Sequence, residues 1–361
     1  MTLWRIARLR GVASFLVAVV AVTVVGCGAP SRSNAAPEII NPTGLGISGG
    51  HGWQALSQTE LDRQLTIVAD TGAKWIRIDL DWSGIEPRRG HQDWADSDRV
   101  VNSARAHGLY VLAILTYTPR WAMRDRTGDD KAAPDPALYG QFVADAIERY
   151  RSKIRHWEVW NEPNIDTFFR PKPDVGLYAQ LLHQAAMAVR VRQPGGQVIV
   201  GGLAPAADDG TDIAPTTFLE RLYALGAESD FDAVALHPYS YPEPPSVSGR
   251  DNAFGNLSRV RAIMDRHGDI GKRVWPTEFG APTGTASSAV SEETQARIVA
   301  EGLGVMATMR GLGPVFVYSL VDAGDDRADQ EDNFGMLRRD YSAKPAFAVL
   351  RANAKALDVP R

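Results

Sequence analysis

Cysteine is almost absent from this 361-residue chain: Cys27 stands alone. A disulfide within the chain is therefore excluded. No His/Cys/Asp grouping has the spacing of a metal site, so neither a metal nor a cofactor is expected. No glycine-rich phosphate loop follows an early apolar run, which counts against nucleotide chemistry. Beyond the N-terminus there is no long basic run, and the formal net charge is -4, so nucleic acid has no electrostatic footprint here. No internal repeat and no second domain is visible. What the chain does have is apolar residues, 44% of the total, ample for one large core or two small ones. It also has nine tryptophans, a high count. Exposed indoles stack on the apolar faces of sugar rings, although most tryptophans pack in cores.

The one long apolar run lies at the start. Arg5, Arg8 and Arg10 precede a nearly all-apolar stretch from Gly11 to Val25, which ends in Val24-Val25-Gly26-Cys27. This resembles a bacterial lipoprotein signal, which implies removal of residues 1–26 and a lipid on Cys27. The alternative is an uncleaved anchor, but the run is short of the roughly 20 residues a span needs. Loss of the leader removes three arginines and no acid, giving -4 - 3 = -7. An acidic protein of that kind gains nothing from anionic headgroups, so the lipid would supply the anchoring. Residues 28–42 are rich in Gly, Ala, Pro, Ser and Asn and read as a tether. The expectation is an exported protein, held at the cell envelope through Cys27 or secreted, with a catalytic body at 43–361 that acts as a monomer.

From Thr43 onward, short apolar runs alternate with helical patterns. Eight strands are predicted: Gly44–Ser48, Lys74–Asp81, Leu109–Thr116, Ile154–Asn161, Gln197–Gly202, Phe231–His237, Arg273–Glu278 and Pro314–Leu320. Helix starts between them are marked by Ser57 with Glu60 three residues on, by Asp135-Pro136, and by Ser291 before Glu292 and Glu293. Leu61, Leu65 and Val68 then share one helical face. Eight such units fit an α/β (β/α)8 TIM barrel. A doubly wound open sheet is the alternative. Pro171–Pro173 and Pro242–Pro245 read as long loops on the barrel's upper face.

Two segments close predicted strands with a carboxylate: Trp160-Asn161-Glu162-Pro163, and Trp275-Pro276-Thr277-Glu278-Phe279-Gly280. Barrel enzymes carry their catalytic groups at these C-terminal strand ends. One carboxyl that donates a proton to a leaving oxygen, and a second that attacks the sugar carbon, is what glycosidic cleavage needs. Glu158 alternates with Trp160 and Glu162, so all three are expected to point inward. Glu158 lies deeper, beneath substrate, paired with an inward basic or hydroxyl group. Asp79 and Asp81 pose the same question on strand two.

In this order the residues resemble the clan A retaining glycoside hydrolases, in particular families 39 and 5. The resemblance runs through Trp75-Ile76-Arg77-Ile78-Asp79, Ile85-Glu86-Pro87 between Trp82 and Trp94, Tyr117-Thr118-Pro119-Arg120-Trp121-Ala122 and His237-Pro238-Tyr239. It continues through Asn333-Phe334-Gly335 and Lys344-Pro345-Ala346. It implies Glu162 as acid/base and Glu278 as nucleophile, with Asn161 on the sugar 2-hydroxyl. Arg77 would hold Glu278 ionised, or serve as a structural ion pair, or both. Tyr239 would bond Glu278, and His237 would either face the sugar or sit satisfied in the barrel. His51, with Trp53, would line the mouth, and Trp121 would offer a stacking surface. The clan's tryptophan at the end of strand eight is missing from Val315-Phe316-Val317-Tyr318-Ser319, which leaves Phe316 or Tyr318 as the sugar's floor, or else implies an unusual ring such as a five-membered furanose. The implied partner is a polysaccharide or glycoconjugate. A non-catalytic carbohydrate-binding lipoprotein and a transglycosylase are the alternatives; the first would be marked by loss of one glutamate, and both are present.

Overall fold

The computed structural model describes residues 43–50, 52–125, 128–247 and 252–358. The predicted leader, Cys27 and the tether lie outside these residues, as does His51. Eight strands follow one another: β1 Leu45–Gly50, β2 Trp75–Asp81, β3 Tyr110–Thr116, β4 His156–Val159, β5 Gln197–Leu203, β6 Ala233–Leu236, β7 Arg273–Pro276 and β8 Val315–Tyr318. Every pairing is parallel, in the order β7-β6-β5-β4-β3-β2-β1-β8. The two ends of that order also meet. Tyr318 N–H donates to Phe279 O at 3.0 Å, and Val274 bridges Leu312 in parallel. The result is a nearly closed (β/α)8 barrel, not an open sheet.

A long helix follows each strand, from Gln58–Asp70 after β1 to Pro345–Leu357 after β8. Their starts obey the predicted chemistry. Ser57 Oγ accepts from Glu60 N–H, Asp135 from Ala137 and Leu138 N–H, and Ser291 from Thr294 N–H. Leu61, Leu65 and Val68 are buried between helix and sheet. Inside the barrel a second, smaller core packs Trp75, Leu112, Ile199, Ala233, Ala235, Trp275 and Phe316. Burying a Leu, Ile or Phe side chain of this kind contributes about 1.5–3 kcal/mol. Phe316 belongs to this layer and is fully buried, so it cannot be the floor of a sugar site.

The strands that carry the predicted glutamates are shorter than expected. β4 stops at Val159 because Trp160 takes a left-handed φ of 70°, and Glu162 one of 46°. The period of two is broken there. Trp160 turns outward against Tyr117, Tyr139 and Phe169, and its indole N–H donates to Phe168 O at 2.6 Å. The prediction that Glu158, Trp160 and Glu162 all face inward therefore fails at Trp160. Both glutamates sit just beyond strand ends, on the upper rim.

Candidate active site

Inward positions on β2 climb from Trp75 through Arg77 to Asp79. Arg77 is buried and organises everything above the apolar layer. Its Nε and Nη2 donate to the two oxygens of Glu158, each at 2.8 Å. Nη1 donates to Glu278 Oε1 at 2.5 Å and to Ser48 Oγ at 3.2 Å, and Nη2 reaches Asn161 Oδ1 at 2.9 Å. Burial opposes the charge on Arg77, but the carboxylates of Glu158, Glu278 and Asp79 more than restore it, and its pKa is raised. Glu158 also accepts Gly202 N–H at 2.7 Å. It is a structural counter-ion beneath the site, with the inward basic partner the sequence predicted.

Glu278 is 15% exposed at the cleft floor. Burial alone would raise its pKa. Electrostatic interaction with His237 and Arg77, with hydrogen bonds from Tyr239 and Arg77, outweighs burial and holds it below the usual carboxylate range. Tyr239 Oη donates to Glu278 Oε2 at 2.8 Å. Opposite, Glu162 is 12% exposed and pairs with His237: Nδ1 lies 2.8 Å from Glu162 Oε1 and 3.6 Å from Glu278 Oε2. A carboxylate oxygen of Glu162 lies within 4.8 Å of one of Glu278. The imidazole has its place because residue 202 is glycine. A Cβ there would stand 2.1 Å from His237 Nε2.

Glu162, His237 and Glu278 thus bring three ligand atoms together, a grouping that no sequence spacing foretold. Two features argue against a metal ion among them. Ligating histidines are oriented by an acceptor on the second ring nitrogen, and His237 Nε2 is buried with no partner among the described residues. Both oxygens of Glu278 are already engaged, one by the Arg77 guanidinium and one by the Tyr239 hydroxyl. The donor set suits a pair of carboxyls bridged by an imidazole better than a cation.

Above this floor opens a cleft of about 1120 Å³. The structure brings Asn161, Glu162, Tyr239, Glu278 and Tyr318 together along its lining, with Arg77 and His237 directly behind. Trp53 also lines it. Trp121 does not. It packs edge-on against Trp82 with centroids 5.3 Å apart, and its indole N–H donates to Glu86 O at 2.8 Å. The stacking role predicted for it is not supported by its position. Sequence reasoning overlooked Tyr117, Tyr241, Gln330, Glu331 and Phe334, all of which line the cleft, and gave Asp79 no role there. Asp79 follows Arg77, and Tyr241 follows Tyr239, at a spacing of two, a usable signal. Glu331 sits in the long segment after β8, where no periodicity marks it.

No family model matches the sequence. Among curated proteins, endo-1,4-beta-xylanase A of Xylanibacter ruminicola is 28% identical over 88 residues, 23% of this chain and 24% of the relative. That match spans only about a quarter of the relative's length. Among solved structures, a family 39 glycoside hydrolase from Bacteroides cellulosilyticus WH2 aligns with a TM-score of 0.69 at 22% identity, over 88% of this chain and 65% of that one. A GH5_18 protein of Streptomyces cattleya, solved in complex with GlcNAc, aligns with a TM-score of 0.65 at 18% identity, over 87% and 80%. At these identities the likeness is one of fold. The chain has the (β/α)8 architecture of family 39 and family 5 glycoside hydrolases.

Proposed function

We propose that this protein is a retaining glycoside hydrolase in which Glu278 is the nucleophile and Glu162 the acid/base. The observation that carries this reading is the pair of carboxyls on one cleft floor with oxygens within 4.8 Å, one of them held ionised. Retention calls for carboxyls about 5–5.5 Å apart, whereas inversion needs about 6.5–9.5 Å to admit a water. In the first step Glu278 attacks the anomeric carbon as the glycosidic C–O bond breaks, and the proton on Glu162 passes to the leaving oxygen. In the second, Glu162 takes a proton from water, which attacks the same carbon and releases Glu278. Arg77 and Tyr239 keep Glu278 anionic and aimed, and Asn161, fixed by Arg77, faces the sugar. The likeness to proteins named as xylanases and as family 39 and 5 hydrolases supports a β-linked glycan as substrate.

The reading extends to location. Arg5, Arg8, Arg10, the apolar run and Cys27 favour export and lipid attachment, with the barrel acting on envelope or extracellular glycan. The test is product release from a panel of β-linked cell-wall and plant polysaccharides, wild type beside Glu278→Ala, with the first-formed anomer read by NMR. A glycan cut only by the wild type, with the anomer retained, is expected. Inverted product would overturn the mechanism, and cleavage by both proteins would overturn the assignment of Glu278. Cys27→Ser should release the protein from a labelled lipid fraction.

A further inference from the structure

The segment after β8 brings a further carboxylate to the cleft wall, exposed to solvent and tied by hydrogen bonds. Glu331 Oε2 accepts from Tyr318 Oη at 3.1 Å, and its Oε1 from Gln330 Nε2 at 3.3 Å. Gln330 is itself fixed, since Nε2 also reaches Tyr241 Oη at 3.2 Å and its Oε1 accepts from Ser288 Oγ. Phe334 packs behind, with ring centroids 5.1 Å from Tyr318 and 5.7 Å from Tyr241. Residues from the loops after β6, β7 and β8 therefore hold one carboxylate in one place. On the same wall Ser240 is more than nine-tenths buried and lines the cleft, and its Oγ has no partner among the described residues, a polar group that a substrate hydroxyl would satisfy.

The proton donor fixes the direction of the substrate. A leaving group must lie on the Glu162 side, near β4, so the sugar that is transferred lies toward β7 and β8. Tyr318 and Glu331 stand on that side. The cleft lining there and around it carries Glu60, Asp79, Glu162, Glu278, Asp322 and Glu331 against one lining arginine, Arg339. Arg77 below and Lys344, paired with Asp322 at 2.7 Å, offset only part of this charge. Burial and the two catalytic carboxylates also raise the pKa of Glu331, as expected for an acid in a field of its own sign.

Resting on the reading of the site as a glycosidase, we infer that Glu331 is the specificity-determining residue of the glycone side and acts as a charge filter. It accepts a hydrogen bond from a neutral hydroxyl or a protonated amine and rejects a sugar that carries a carboxylate. Tyr318 is its positioning residue, which gives the tyrosine a use at a position where a tryptophan offers only a surface.

The test uses three hydrolysis-resistant probes, one neutral, one cationic through an amine at C2 and one anionic through a carboxylate at C6: phenyl 1-thio-β-D-glucoside, its 2-amino-2-deoxy analogue and the corresponding glucuronide. Binding is measured by titration calorimetry and ligand-observed NMR on the full chain. Wild type is expected to bind the first two at least about tenfold more tightly than the glucuronide at low salt, with the gap shrinking as salt rises. Glu331→Gln keeps the shape and removes the charge, and the gap should fall to about twofold. Tyr318→Phe should narrow it less. An unchanged gap in Glu331→Gln, or no discrimination by wild type, overturns the filter. Because binding of thioglycosides needs no turnover, the two failures are distinguishable: an intact filter on a protein that cleaves nothing would sink the hydrolase reading and leave only charge selection by Glu331 in a binding cleft.

Discussion

The two ends of the barrel are built from the same strands and obey opposite rules. At the lower end Trp75, Leu112, Ile199, Trp275 and Phe316 fill the interior with hydrocarbon and rings. Two residues higher on β2 the interior becomes ionic, with Arg77 tied to Glu158, Glu278 and Asn161. The lower layer is stabilised by removal of apolar surface from water, which any well-packed set of side chains achieves. The upper layer carries the desolvation of three charges, a cost met only because each is bonded to the others. That contrast separates stability from chemistry. The lower end makes a barrel, and the upper end holds the Glu278 carboxylate below the usual range beside a second carboxyl, Glu162.

The sharpest way to break the comparison is to remove the reacting groups without touching the scaffold. Glu162→Ala should cost about 10²–10⁴-fold in turnover of an unactivated glycan, the usual worth of a positioned acid/base. Glu278→Ala should cost more, since the covalent path is lost altogether. Glu162→Ala is expected to unfold at denaturant concentrations close to wild type, whereas Glu278→Ala also takes a carboxylate from buried Arg77 and is expected to unfold earlier. A Glu162→Ala enzyme with a wild-type rate on the polysaccharide would refute its role.

The next effect falls on stability. Glu158→Gln leaves Arg77 buried with one carboxylate instead of two, and breaking a buried pair of this kind costs about 3–5 kcal/mol. Urea unfolding checks this. A loss below about 1 kcal/mol would mean that the upper layer is no more demanding than the lower one. Tyr239→Phe then tests electrostatics in the same layer with less disruption. Loss of a hydrogen bond to a charged acceptor costs about 1.5–3 kcal/mol, or roughly 10–100-fold in kcat/KM. It should also move the acid limb of the pH profile upward, because the hydroxyl is one of the groups that depress Glu278. The sign for stability follows. Folding depresses the pKa of Glu278, so its contribution is present above the unfolded value of about 4.3 and is lost as pH falls through the lower folded value. The variant should lose less stability on acidification than wild type.

The barrel was legible because its signals are local and repeated: apolar runs, capping residues and turns between them. Glu162, Glu278 and Tyr239 were legible because each sits just beyond a strand end, where position in a barrel implies position in the cleft, and Arg77 because it alternates inward along β2. Tyr318 fell into the cleft and Phe316 into the core for the same reason of alternation along β8. The outward turn of Trp160 was not legible, because a left-handed φ at a bulky residue is imposed by tertiary packing and breaks the period on which the reading relied. Glu331, Gln330 and Phe334 were hidden for another reason. They come from a long connection, and their bonds to Tyr318 and Tyr241 join residues as far apart in sequence as 89 positions.

Trp121 gives the smallest effect and the cleanest contrast with Tyr318. Both are aromatic, both lie at or beyond the upper end of a strand, and both were read as surfaces for a sugar ring. Tyr318 faces the cleft, whereas Trp121 is spent on Trp82 and on the carbonyl of Glu86. Trp121→Phe keeps a ring against Trp82 and loses one hydrogen bond, so it should cost about 0.5–1.5 kcal/mol in urea unfolding. Glycan turnover should stay within about twofold of wild type, the range of a change remote from the reacting groups. If KM for a long glycan rises while stability holds, the substrate extends past the cleft described here and over the loop after β3. The indole would then be a distant subsite after all, reached only by chains longer than the cleft.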